Sequence, residues 1–138
     1  MVSESKHLIS YRLEQAQESL QDAGILLEHQ GTPRAVINRC YYAIFYAVQA
    51  LLGTKGMTTS KHYGAISLFD KEFVMTGEFD KYASKDVHLA FELRQEWDYK
   101  VIDKLDKINE QEALEKAQAF VAKTEEYLGK HGYLIPKL

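Results

Sequence analysis

The chain has 138 residues, 46% of them apolar and 27% charged, and carries a formal charge of −3. That length predicts one domain, residues 1–138, burying roughly two thirds of its unfolded surface. The acidic balance excludes a general attraction to nucleic acid, so any RNA contact needs a local patch, and the single cysteine, Cys40, excludes an internal disulfide and a cysteine-based zinc site.

Residues 4–30 place Ile9, Leu13, Ala16, Leu20, Ala23 and Leu27 at alternating steps of four and three, the narrow apolar seam of an amphipathic helix. Gly31-Thr32-Pro33 leaves room only for a tight turn, so a second helix runs antiparallel to the first. That helix, Ala35 to Leu52, takes Thr32 as its cap, Pro33 as its first position and Gly53 as its stop. Its apolar and aromatic residues run almost all the way round, which predicts a helix surrounded by others. Its length alone would just cross a membrane, but Asn38, Arg39 and Gln49 inside it argue against a span. Arg34, Asn38, Tyr41 and Gln49 share one polar stripe along it.

After the loop TKGMTT, Ser60 is the expected cap of a third helix that reaches Val74 or Met75 and stops at Gly77. His62, Ile66, Phe69 and Phe73 fall on one face of it. A fourth helix starts between Phe79 and Ser84 and continues toward Val101, with Ala83, Val87, Ala90, Arg94 and Trp97 or Val101 on its inward seam. An arginine there is anomalous, because a buried charge needs a partner. Residues 104–108 form a charged connection, and Asn109 with Glu112 reads as a capping box for a last helix whose seam is Ala113, Ala117, Phe120, Thr124 and Tyr127 or Leu128. Tyr133, Leu134 and Ile135 form a short tail, free to dock or to fray. The expectation is an all-α, up-down antiparallel bundle of four to five helices, homodimeric through its extensive seams. The N-terminus lacks the apolar stretch of a signal peptide, and the expected compartment is the cytoplasm.

Two groups of residues can carry chemistry. Arg94 and Asp98 stand one helical turn apart, so the carboxylate can orient the guanidinium toward a phosphate, with the Tyr99 phenol just round the helix. The plain alternative is an exposed ion pair, which the seam position of Arg94 disfavours. Lys61 and His62 open the third helix, where free backbone N–H groups and the helix dipole favour an anion. Tyr41, Tyr42, Phe45 and Tyr46 have the chemistry to stack on bases, although aromatics in so apolar a helix are more often core. Cys40 reads as a buried thiol. No glycine loop for phosphates, paired-carboxylate site or Ser-His-Asp pattern is present, and the sequence gives no basis for a metal or a cofactor.

Three stretches in this order and spacing, RAVINRCYYAIFYAVQALL (34–52), SKHYGAISLFDKEFVMTGEF (60–79) and LRQEWDYK (93–100), resemble the HEPN domains. The similarity covers nearly the whole chain and is to the short stand-alone prokaryotic branch. It implies a four- to five-helix bundle that pairs as a homodimer, with the helix-four motif near the cleft between subunits. It also implies pairing with a small nucleotidyltransferase encoded alongside, in toxin–antitoxin-like modules. Ribonuclease members carry an arginine, four to six residues, then a histidine on this helix. Arg94 matches the arginine, but the following QEWDYKVI holds no histidine, and Asp98 and Tyr99 stand in its place.

Three functions follow from these residues. In the first, the protein is the helical partner of a nucleotidyltransferase. Lys61, His62, Arg94 and Tyr99 then line a nucleotide or RNA-phosphate site, Asn38, Tyr41 and Asp98 support it, and Tyr99 is a target for adenylylation. In the second, it is a metal-independent RNA endonuclease toxin in which Arg94 and His62 are catalytic despite the missing motif histidine. In the third, it is a structural dimerisation module. Helix phase alone leaves open whether Tyr41 or Tyr42 faces the site.

Overall fold

The computed structural model describes residues 4–98 and 109–135, the side chains at 4 and 96–98 excepted. Five α-helices are seen among these residues: α1 (Glu4–Glu28), α2 (Pro33–Thr54), α3 (His62–Phe69), α4 (Lys81–Asp98) and α5 (Glu110–Lys130). The all-α expectation holds. The Thr32 side chain accepts a hydrogen bond from the Ala35 N–H at 3.2 Å, with Pro33 in the first turn of α2. Asn109 Oδ1 caps α5 by accepting from the Glu112 N–H at 2.9 Å.

Helix α2 is the axis of the bundle and packs against each of the other four helices. Side-chain pairs fix the directions. Ile9, near the start of α1, meets Gly53 at the end of α2, so these two run antiparallel. Lys116 pairs with Asp86 at 3.2 Å and Lys123 with Asp80 at 3.4 Å, so α5 runs back along α4. Helix α4 in turn runs antiparallel to α2, its C-terminal Arg94 lying at Tyr41 and Tyr42. The four long helices thus alternate up and down, and α3 is a short segment lying between α2 and α4.

The core is continuous among the described residues. Val36, Val48, Leu51 and Leu52 of α2 are fully enclosed, together with Ile9, Phe69, Phe73 and Leu128. By length and composition α2 would also suit a membrane span, but 67% of its most apolar window is buried inside the bundle, so its apolar surface already has a protein partner. A second aromatic cluster joins α3 to α5: Phe69 stacks with Phe73 and meets Phe79 and Phe120 edge-on.

Four local expectations are corrected. Gly53 does not stop α2. It lies inside the helix, where an added Cβ would come 2.8 Å from Ile9 Cγ1, and the left-handed residue past the end is Gly56, with φ +71°. Ser60 does not cap α3. Lys61 occupies that position, and its N–H donates to Thr59 Oγ1 at 3.1 Å. The stretch reaching Val74 is no single α-helix, for Asp70–Val74 widens into a π turn. Asp70 there accepts hydrogen bonds from Ser84 Oγ and His88 Nε2 of α4, both at 2.7 Å, which ties that turn to its neighbour. On α4 the buried seam is Ala83, Val87, Phe91 and Leu93, with Ala90 and Arg94 at its half-buried margin. The tail docks: Tyr133 Oη donates to the Thr54 carbonyl at 3.4 Å, and the Ile135 N–H donates to Ser10 Oγ at 3.3 Å.

Candidate functional site

The polar stripe of α2 is where α3 is seated. Gln49 Nε2 donates to the Thr59 carbonyl at 3.2 Å and so holds the loop that leads into α3. Three residues later the chain delivers His62, whose Nδ1 shares a hydrogen bond with the Tyr41 hydroxyl. The imidazole stacks on Phe45, ring centroids 4.5 Å apart, and lies parallel to Tyr41 at 5.4 Å. Tyr41 and Phe45 are four apart on α2, so one turn of helix builds this stacking surface.

From the opposite side α4 contributes Arg94. Its guanidinium carbon lies 5.0 Å from the Tyr41 ring centroid and 5.6 Å from that of Tyr42. The cation is thus held against aromatic faces, where the ring quadrupoles attract it. Phe91, one turn earlier on α4, lies 6.1 Å from Tyr41 and makes an edge contact with Tyr63 at 4.7 Å. Tyr41 is buried and Tyr42 half-buried, so both tyrosines meet Arg94, and the choice between them dissolves.

The electrostatics follow from burial and from Arg94. Desolvation, aided by the nearby guanidinium, lowers the His62 pKa below its usual 6.5, which keeps the imidazole neutral at pH 7. Burial drives the Tyr41 phenol well above its usual range against the opposing pull of Arg94, with Tyr42 adding to the rise, so Tyr41 keeps its proton. Next to Tyr41 on α2, burial pushes the Cys40 thiol up to about 12, which makes it a packing residue. The cluster therefore combines one permanent positive charge, one neutral imidazole and one protonated phenol. Such a set can hold an anion, donate hydrogen bonds to phosphate oxygens and accept a proton at the imidazole.

The structure brings Tyr41, His62 and Arg94 together. Asn38 stands one turn before Tyr41 on α2, and its Oδ1 accepts from Arg39 at 3.0 Å. Lys61 lines a separate groove of about 510 Å³ with Arg12, Gln49 and Met57, between α1 and the loop before α3. The expectations for the Asp98 carboxylate and for Tyr99 lie outside the described residues. The sequence reading left Arg39 out of the group, yet its guanidinium carbon is 5.1 Å from the Tyr42 ring. The spacing of three from Arg39 to Tyr42 on one helix face was the available signal.

Such a bundle defines an all-α protein in which an arginine of the fourth helix lies against a cluster of aromatic rings on the second. The HEPN domain model matches residues 9–127, from the first turns of α1 to the last turn of α5. The chain belongs to the HEPN domain family. It is 38% identical to a "UPF0332 protein" of Thermotoga maritima, over 87% of this chain and 90% of that protein. It is also similar to two Methanocaldococcus jannaschii proteins. "Putative toxin MJ0142" is 35% identical over 84% of this chain and 78% of that protein, and "Putative toxin MJ0605" is 36% identical over 79% and 80%.

Proposed function

We propose that this protein is the helical component of a toxin–antitoxin-type module, binding nucleotide or RNA phosphate at Arg94 and pairing with a small nucleotidyltransferase. The carrying observation is the Arg94 guanidinium held over Tyr41 and Tyr42 beside a neutral His62. An arginine fixed by ring faces is pre-organised, and its planar donors match phosphate oxygens. The relatives named as toxins support the setting. In this reading Asn38 and Asp98 orient the cluster, Lys61 adds positive charge at the start of α3, and Tyr99 is the residue a partner adenylylates. The protein acts in the cytoplasm as a homodimer whose α4 motifs face a shared cleft. Calorimetric titration with ATP tests the site, with binding expected in the wild type and lost in Arg94→Ala. Co-expression with the adjacently encoded transferase tests the pairing by a mass increase of one or more adenylyl groups. Absence of both heat and mass change, with that transferase folded and present, refutes the reading.

His62 beside Tyr41 favours a second reading, metal-independent RNA cleavage. If Nδ1–H donates to the Tyr41 oxygen, Nε2 is the basic nitrogen. It can then take the proton of a ribose 2′-hydroxyl as that oxygen bonds to the adjacent phosphorus, the P–O5′ bond breaks and the 5′-oxygen leaves with a proton from water, while Arg94 neutralises charge on the attacked phosphate. Cleavage of RNA in the presence of a chelator, abolished by both Arg94→Ala and His62→Ala, supports this reading, and cleavage that survives either change removes it.

A further inference from the structure

The groove of about 510 Å³ between α1 and the loop that joins α2 to α3 is lined by none of Tyr41, His62 and Arg94. Its charged lining consists of Arg12 from α1 and Lys61 from the end of the loop, with no Asp or Glu. The half-buried Arg12 donates from Nη1 to the neutral amide oxygen of Gln15 at 2.9 Å, which leaves the rest of its five donors for an acceptor. Among the described residues neither Arg12 nor Lys61 pairs with a carboxylate. In a chain of formal charge −3 this concavity is therefore a local positive site, and its low-dielectric walls concentrate the field.

The remaining lining has two characters. Leu8 is 46% exposed and Met57 half-buried, so both offer apolar surface to an occupant. Methionine adapts to irregular shapes because its chain is unbranched. Between Met57 and Lys61 the wall is Thr58, Thr59 and Ser60, whose backbone N–H groups donate to no acceptor among the described residues. An inorganic anion would meet the cations and leave the apolar side in water. An organic anion meets both, and the groove lies within the roughly 300–1,000 Å³ usual for small-ligand sites.

We infer that this groove binds a small organic anion, its phosphoryl or carboxylate head held by Arg12 and Lys61 and its apolar body against Leu8 and Met57. The site goes beyond the function proposed above and does not depend on Arg94. It does touch the same machinery. Gln49 Nε2 donates to the Thr59 carbonyl at 3.2 Å, the Lys61 N–H donates to Thr59 Oγ1 at 3.1 Å, and the next residue is His62. An occupant thus rests on the loop that delivers the imidazole to Tyr41.

The test follows the backbone amide NMR signals of residues 57–61 during titration with AMP, octanoate and inorganic phosphate. The Thr58, Thr59, Ser60 and Lys61 amides are expected to shift with AMP or octanoate. Arg12→Ala is expected to weaken that probe about tenfold, the loss of one charge-assisted contact. Lys61→Ala, at an exposed position, should do the same and serves where Arg12→Ala fails to fold. Shifts with AMP alone assign a phosphoryl ligand, with octanoate alone a carboxylate, and with both an organic anion of either kind. Inorganic phosphate bound as tightly as the better organic probe overturns the inference, because the apolar wall then contributes nothing. No shift with any probe, or shifts that both substitutions leave unchanged, overturn it as well. Arg94→Ala is expected to leave these shifts in place. Should Arg94→Ala abolish them while the Arg12 and Lys61 variants keep them, the ligand belongs to the Tyr41 cluster, and the inference falls while the Arg94 reading stands.

Discussion

Gly53→Ala puts helix propensity and packing in direct opposition. Gly53 is inside α2, where alanine is favoured over glycine by about 0.8–1.0 kcal/mol, so propensity alone predicts a more stable protein. The added Cβ, however, would stand 2.8 Å from Ile9 Cγ1 and 3.5 Å from its Cδ1. Carbon pairs settle at about 3.5–4.0 Å, so the nearer contact is too close by about 0.7 Å. Ile9 cannot swing aside: it is 2% exposed and β-branched, with one preferred rotamer in a helix. Overpacking of this kind costs about 1–3 kcal/mol, which cancels the propensity gain and leaves a net destabilisation of up to about 2 kcal/mol. Gly24 in α1 supplies the control, because its Cβ would meet nothing within 4 Å, and Gly24→Ala is expected to stabilise by about 0.5–1 kcal/mol. Urea unfolding of both variants measures the two signs. In Ile9→Ala the added methyl finds space, so the double substitution should cost less than the sum of the single ones. A Gly53→Ala protein stabilised like Gly24→Ala would refute the close approach of α1 and α2 at this point.

The folded-state pKa of His62 lies below the usual 6.5, so below that pH the unfolded chain binds the proton first. The stability tied to this group is complete above pH 6.5 and declines as pH falls toward the folded value. His62→Gln should flatten that part of the stability-versus-pH curve, and parallel curves for the two proteins would contradict the burial of the imidazole. The Cys40 thiol, pushed up to about 12 and 3% exposed, should resist a thiol reagent in native protein at mildly alkaline pH and react on unfolding. Rapid labelling of the native state would show that α2 is more open than its packing implies.

Much of the architecture was legible because it rests on short-range rules. Thr32-Pro33 and Asn109 are capping signals whose geometry involves only neighbouring residues, and both recur in the structure. The all-round apolar character of α2 announced its central place. What sequence missed depended on partners distant along the chain. Gly53 carries the signature of a helix stop, yet it is there to admit Ile9, some forty residues earlier, and no local rule contains that contact. The π turn at Asp70–Val74 is likewise tied by the Asp70 carboxylate to Ser84 and His88 of α4, contacts that no local rule contains. Within the candidate site, the helix-four arginine and the His62 opening of α3 could be named separately. Their meeting at Tyr41 required the bundle, and Arg39 lies off the polar stripe of α2 although it reaches the Tyr42 ring.

The cluster at Tyr41 shows why site and core are hard to separate in this protein. Tyr41 is 2% exposed and belongs to the hydrophobic core, yet its ring carries Arg94 and its hydroxyl engages His62. Truncation to alanine would remove the packing, the cation's seat and the hydrogen bond at once, and any loss of binding would be uninterpretable. Tyr41→Phe divides the roles. The ring and its quadrupole remain, so the arginine keeps its seat, while the imidazole loses the partner at Nδ1. A phosphate site built on Arg94 should survive that substitution. Chemistry that depends on a particular His62 tautomer should not, because the phenol is what distinguishes the two ring nitrogens. The same buried residue thus separates the binding reading from the cleavage reading, by whether its hydroxyl matters or only its ring.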